Sequence, residues 1–256
     1  MDKLELLKKR KSVRSYSLEE LPQETINKLK AETTDINTHV AGLKFQLFFN
    51  DDDPFKGFLK SYGTFVNPKN YMAAVVDMGV KNISEKAGYY AEKFVIKAVE
   101  LGLGTCFVGG TYDSSAVNAQ LRAGEKILFV VLFGLPLNTD RFAEKMLVKL
   151  IHRKKMTPED FFEPASEYEY ALSQFPNLTE GLEAVACAPS AVNKRPTRIF
   201  IKEIEDRKHL CARVDDRNPK NLIDLGIAKF NFNFATDTFC EFGNGAPLDS
   251  SDSDML

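Results

Sequence analysis

Glu183-Ala184-Val185-Ala186-Cys187-Ala188-Pro189-Ser190-Ala191-Val192-Asn193-Lys194-Arg195-Pro196 runs from the end of an apolar helix, through a polar loop of small residues, toward the strand Thr197 to Lys202. Each proline fixes its own φ and restricts the residue before it, here Ala188 and Arg195, so the loop has few conformations. It can hold the Ser190 hydroxyl and the Asn193 amide at fixed positions, or serve as a plain helix-to-strand connector. The same order of helix, loop and strand occurs earlier. A helix with Ile26 and Leu29 at helical spacing leads to the polar stretch Thr33-Thr34-Asp35-Ile36-Asn37-Thr38, expected as a loop, and then to the strand Lys44 to Phe49. This is a weak internal repeat, and only its second copy carries Pro-Ser followed by Asn-x-x-Pro. It divides the chain into a first half at 1–165, a shorter second half at 166–245, and an acidic tail at 246–256 that lacks an apolar pattern and is expected to be disordered.

The 256 residues are 44% hydrophobic, with 34 basic and 36 acidic side chains, the balance of a soluble globular protein with chain enough for a large core. A net charge of −2 argues against a general nucleic-acid or membrane-surface role. No apolar run reaches bilayer length and no apolar segment follows Met1-Asp2-Lys3-Leu4-Glu5, so the expectation is a cytoplasmic protein. Cys106, Cys187, Cys211 and Cys240 lie far apart, which makes a disulfide framework unexpected.

Two basic clusters stand out. A short helix from Leu4 delivers Lys8-Lys9-Arg10-Lys11-Ser12-Val13-Arg14-Ser15-Tyr16, where alternation puts Arg10, Ser12 and Arg14 on one side of an extended segment and Val13 on the other. Guanidinium forks and a hydroxyl on one face suit a phosphate dianion, though a solvated basic stretch has the same composition. The second cluster, Lys149 to Lys155, includes Arg153 and Lys155 ahead of a helix start.

Between the repeats, Lys60 to Phe65 reads as a loop and Tyr71 to Val76 as a strand. Ala87, Tyr90, Ala91, Phe94, Val95, Ala98 and Leu101 make the wide buried stripe of a central helix, with a counterpart at Leu222 to Phe230. Gly102 or Gly104 is expected to cap that helix, whereas Gly109-Gly110 follows a strand and would let a planar ligand approach backbone N–H groups, or would form a bare turn. Helix precedes strand here, which excludes a dinucleotide fingerprint. The strand Ile127 to Phe133, apolar on both faces, belongs inside a sheet. There is no His-Glu-x-x-His, zinc-spaced His and Cys set, Gly-x-Ser-x-Gly elbow or Walker loop, so chemistry would have to come from an organic cofactor held by phosphate contacts.

The chain resembles the FMN-dependent nitroreductase family, and in particular its fused-repeat branch. The resemblance rests on Arg10 to Tyr16, Ala188 to Pro196, Glu100-Leu101-Gly102-Leu103-Gly104-Thr105-Cys106-Phe107-Val108-Gly109-Gly110 and Phe133-Gly134-Leu135-Pro136. It implies an α+β fold with mostly antiparallel central sheets flanked by helices and two related halves about a pseudo-two-fold axis. It also implies FMN: Arg10, Ser12, Arg14, Arg153 and Lys155 on the phosphate, Gly109 and Gly110 offering backbone donors to the ring edge, and Pro189, Ser190, Ala191 and Asn193 lining the other side. The expected reaction is ping-pong hydride transfer from NAD(P)H through FMN to a nitroaromatic, quinone or similar acceptor, with no side-chain acid or base and no metal. One chain holds one complete set of contacts, which predicts a monomer acting as a pseudo-dimer with a single FMN. The alternative is a flavin-binding sensor or reservoir without turnover.

Overall fold

Four strands form an antiparallel sheet: β1 (Leu43–Phe48), β2 (Tyr71–Asp77), β3 (Gly104–Val108) and β4 (Glu125–Gly134), in the order β1-β2-β4-β3. The computed structural model describes residues 2–56, 65–137 and 156–250. The two interior strands are the most apolar: Tyr71 to Val76 and Phe129 to Phe133 are buried without a break, as strands covered on both faces must be. The register of β2 against β4 shifts once, between Ala74 and Val75.

This sheet belongs to one of two compact units, Lys9–Ile83 with Lys93–His152; the other gathers Met1–Lys8, Ser84–Glu92 and Arg153–Leu256. Helix α1 (Lys3–Lys9) opens the chain, α2 (Gln23–His39) precedes β1, and α3 (Ile83–Glu100) lies between β2 and β3. In α3 the expected stripe is buried from Ala87 to Ala98. Gly102 ends this helix at φ +81°, with Leu103 N–H on the Ala98 carbonyl at 2.9 Å, the left-handed cap expected there.

The expected loop at Thr33 to Thr38 is instead the last part of α2. The Thr33 and Thr38 hydroxyls donate back to the carbonyls of Leu29 and Thr34, each at 2.8 Å, so their polar groups are satisfied inside the helix. Asn37 pairs with the Phe45 backbone in both directions, at 2.9 and 2.7 Å, and fixes α2 against β1. The connector shrinks to Val40-Ala41-Gly42, far shorter than the Pro-Ser loop.

In the other unit, α4 (Tyr168–Gln174) and α5 (Leu178–Cys187) precede a hairpin of β5 (Arg198–Ile204) and β6 (Arg207–Arg213), followed by α6 (Lys220–Thr236). Glu205 and Asp206, at φ +50° and +61°, make the hairpin turn, since positive φ at both central residues matches the twist of the strands. Helix α6 crosses the first half of α3 backbone to backbone. A Cβ at Gly226 would lie 1.9 Å from the Glu85 carbonyl oxygen, and one at Gly88 would lie 2.1 Å from that of Ile223.

The expectation of disorder from residue 246 onward fails for 246–250. Leu248 is fully buried, its N–H donates to the Leu210 carbonyl at 2.7 Å, and Pro247 and Ser250 bridge to Cys211 and Phe239. Burial of Leu248 and the hydrogen bonds around it, including Asn233 Nδ2 to the Leu248 carbonyl at 2.9 Å, together dock the stretch. Residues 251–256 lie outside the described residues.

Candidate functional site

The basic segment is joined to β3 at Thr105. Ser12 bridges Thr105 in parallel, and Val13 N–H donates to the Thr105 carbonyl at 2.8 Å. Beyond it Val66 N–H reaches the Arg14 carbonyl at 2.9 Å, and Ser17 N–H reaches that of Leu135 at 2.9 Å. Val13 points inward: a Cβ on Gly104 would come within 2.7 Å of the Val13 Cβ, so Gly104 is the glycine that lets this segment lie close. Gly134 does the same for the Tyr16 ring, and the Tyr16 hydroxyl donates to the Val13 carbonyl at 2.6 Å. With Val13 turned in, Arg10, Ser12 and Arg14 take the alternate positions; each is half-buried, and an Arg14 Nη1 donates to the Ser12 carbonyl at 3.4 Å.

Gly109 and Gly110 follow the last residue of β3, and both are exposed. Among the described residues, a Cβ built on either would meet no heavy atom within 4 Å. The packing of the described residues therefore does not require glycine at these positions. Arg153 and Lys155, and Ser61 to Thr64 of the expected loop before β2, lie outside the described residues.

The second unit carries Pro189, Ser190, Ala191 and Asn193 on the connector between α5 and β5. Pro189 stops α5, and the loop is closed by its own side chains. Arg195 N–H donates to Ser190 Oγ at 2.8 Å, and Arg195 Nε donates to Asn193 Oδ1 at 3.1 Å. Both side chains act as acceptors here, so the serine hydroxyl proton and the asparagine NH2 are not used in either bond. The backbone is contorted, with Val192, Asn193 and Arg195 at φ +46°, +53° and +49°.

The residue that sequence reasoning missed is Asp224. It lies on α6, buried, and accepts the Ala191 N–H on both carboxylate oxygens, at 3.1 and 3.2 Å. Burial pushes its carboxyl up to about 7, opposed by the Ala191 bond and the Lys194 charge. The available signal was an acid set among apolar residues, Leu222-Ile223-Asp224-Leu225, on a helix read as buried.

Among the described residues no group of three or more His, Cys, Asp or Glu could hold a metal, and no helix is long and apolar enough to cross a membrane. The antiparallel sheet, its edge segment and the helices make an α+β fold of the nitroreductase kind. The family described as "Putative TM nitroreductase" matches residues 2–236, and the chain belongs to that family.

A crystal structure of a "putative nitroreductase" from Thermotoga maritima is 19% identical over 92% of this chain and 83% of its own, with a TM-score of 0.55. A nitroreductase family protein from Clostridium novyi is 14% identical over 54% of this chain and 87% of its own, with a TM-score of 0.43. A "putative nitroreductase" in complex with FMN from Desulfovibrio desulfuricans is 18% identical over 60% of this chain and 98% of its own, with a TM-score of 0.41. No curated protein matches this chain.

Proposed function

We propose that the protein is an FMN-dependent oxidoreductase of nitroreductase type, which passes hydride from NAD(P)H to a nitroaromatic, quinone or similar acceptor in two half-reactions. The open glycine pair at Gly109 and Gly110 carries this reading, because it is free of steric demand from the described residues and presents backbone where a flat ring can approach. The reading assigns the other candidate residues to the same group. Arg10, Ser12 and Arg14, with Arg153 and Lys155, supply cations and a hydroxyl for a phosphate; Pro189, Ser190, Ala191 and Asn193 supply a rigid wall with two donors.

FMN, when bound, supplies the two-electron redox chemistry. The protein binds, orients and stabilises negative charge through backbone donors and nearby cations, and no side-chain acid or base is invoked. We place the protein as a cytoplasmic single-chain pseudo-dimer, with halves at 1–165 and 166–245 and a single FMN. The short Val40-Ala41-Gly42 connector supports that count, because it gives the first half no counterpart of the Pro-Ser loop.

Anaerobic addition of NADH and of NADPH to the purified protein is the test. Bleaching of a flavin spectrum and its return on adding a nitroaromatic or quinone are expected. A flavin that neither nucleotide reduces makes the protein a binding protein without turnover.

A further inference from the structure

We infer that Asp224 is a positioning residue that holds the Pro189–Asn193 loop in its strained conformation through the Ala191 N–H. The loop does not fold this way by preference. Val192 is β-branched and sits at φ +46°, a region such residues almost never adopt, and its side chain is 60% exposed, so no burial of that side chain offsets the cost. The bonds from Asn193 N–H to the Ser190 carbonyl at 3.0 Å, from Lys194 N–H to the Ala191 carbonyl at 3.1 Å and from Arg195 N–H to Ser190 Oγ at 2.8 Å all run within the loop. They set its shape without tying it to the fold; at the loop's end Arg198 Nη1 of β5 donates to the Arg195 carbonyl at 2.9 Å.

Asp224 supplies such a tie. It belongs to α6, it is 5% exposed, and both oxygens lie within 3.2 Å of one loop N–H. A small cavity of about 10 Å³ beside it, shared with Phe161, Val185 and Ala228, has room for no more than one water. A buried carboxylate is costly unless its bonds are made, so removing either partner leaves the other unsatisfied. The consequence for cofactor binding rests on the function proposed above; the positioning of the loop does not.

Trypsin reads this loop directly, because it cuts after Lys194 while Pro196 protects the bond after Arg195. In the full chain, Asp224→Ala is expected to raise the cleavage rate at Lys194 by about tenfold or more, the loss of one hydrogen bond to a charged group, with cleavage elsewhere unchanged. Asp224→Asn, whose amide oxygen can still accept the Ala191 N–H, is expected to stay near the wild-type rate. Equal rates at Lys194 in Asp224→Ala and wild type overturn the inference, and so does a rise at every site in both variants. Should Asp224→Ala not fold, amide exchange in the wild type decides. Ala191 N–H slower than Val192 N–H by about tenfold or more supports the tie, and comparable rates overturn it. Flavin retained by a variant whose loop is cut faster removes the loop from the cofactor site and leaves the positioning role standing.

Discussion

Lys229 Nζ lies 2.6 Å from Glu85 Oε1 with both side chains out of solvent, and the same ammonium donates to the carbonyls of Glu241 and Gly243, each at 2.9 Å. One buried cation thus joins α6, the start of α3 and the segment after α6. Burial raises the Glu85 carboxyl, and the Lys229 charge opposes that rise. Lys229→Met strands the carboxylate and should cost about 3–5 kcal/mol, whereas Lys229→Met with Glu85→Leu should recover most of it. Urea denaturation of the singles and the double checks this. The Lys229→Met deficit should shrink as pH falls, because a protonated Glu85 has no charge to compensate.

The same helix crossing tolerates no added methyl group. Gly226→Ala drives a Cβ against the Glu85 carbonyl and Gly88→Ala drives one against that of Ile223, so each should cost at least the usual 1–3 kcal/mol of overpacking. Thermal melting should place both well below wild type. Gly110→Ala, where a Cβ meets nothing, is the matched control.

Asp224 gives stability a pH dependence of definite sign. Its folded value near 7 exceeds the ordinary 3.8, so the folded chain holds a proton that the unfolded chain has lost. That contribution is complete below about pH 4 and is lost as pH rises toward 7, with a slope of at most about 1.4 kcal/mol per unit. Glu85 acts in the same direction, so the comparison of wild type with Asp224→Asn isolates the term. Their difference should change from pH 4 to 7 and level off above it; a constant difference contradicts the assignment.

Two substitutions address the cofactor without addressing the fold. Arg14→Ala removes one charge-assisted contact and should weaken FMN retention about tenfold to a hundredfold. Gly110→Val should leave the melting of the flavin-free protein unchanged while excluding a ring from the strand end. Flavin occupancy of the purified variants, read by absorbance, checks both; wild-type occupancy in each contradicts the assignments.

The helices and interior strands were legible because their patterns are long: the stripe from Ala87 to Ala98 and the apolar runs of β2 and β4 allow one reading each. The α2 ending was hidden because four of its last residues, Thr33, Thr34, Asn37 and Thr38, favour turns when read locally, whereas in the fold Thr33, Asn37 and Thr38 satisfy their side chains on the carbonyls of Leu29, Phe45 and Thr34. Strand β6 was hidden for a different reason. Its first residues are Arg207 and Lys208, and only Leu210, Cys211 and Ala212 are buried, so no alternation announces it. The site divides in the same way. The alternation that set Arg10, Ser12 and Arg14 apart from Val13 was legible, and Val13 does turn inward. Gly104 and Gly134, the glycines that admit this segment, and Asp224, which reaches Ala191 from 33 residues away, depend on tertiary contacts that no local pattern encodes.

The visible absorption spectrum of the purified protein, with mass identification and counting of any released ligand, tests the central claim most directly. The account predicts a yellow protein that releases FMN, one per chain, and bleaches with NADH or NADPH. A colourless protein that takes up no added FMN contradicts it.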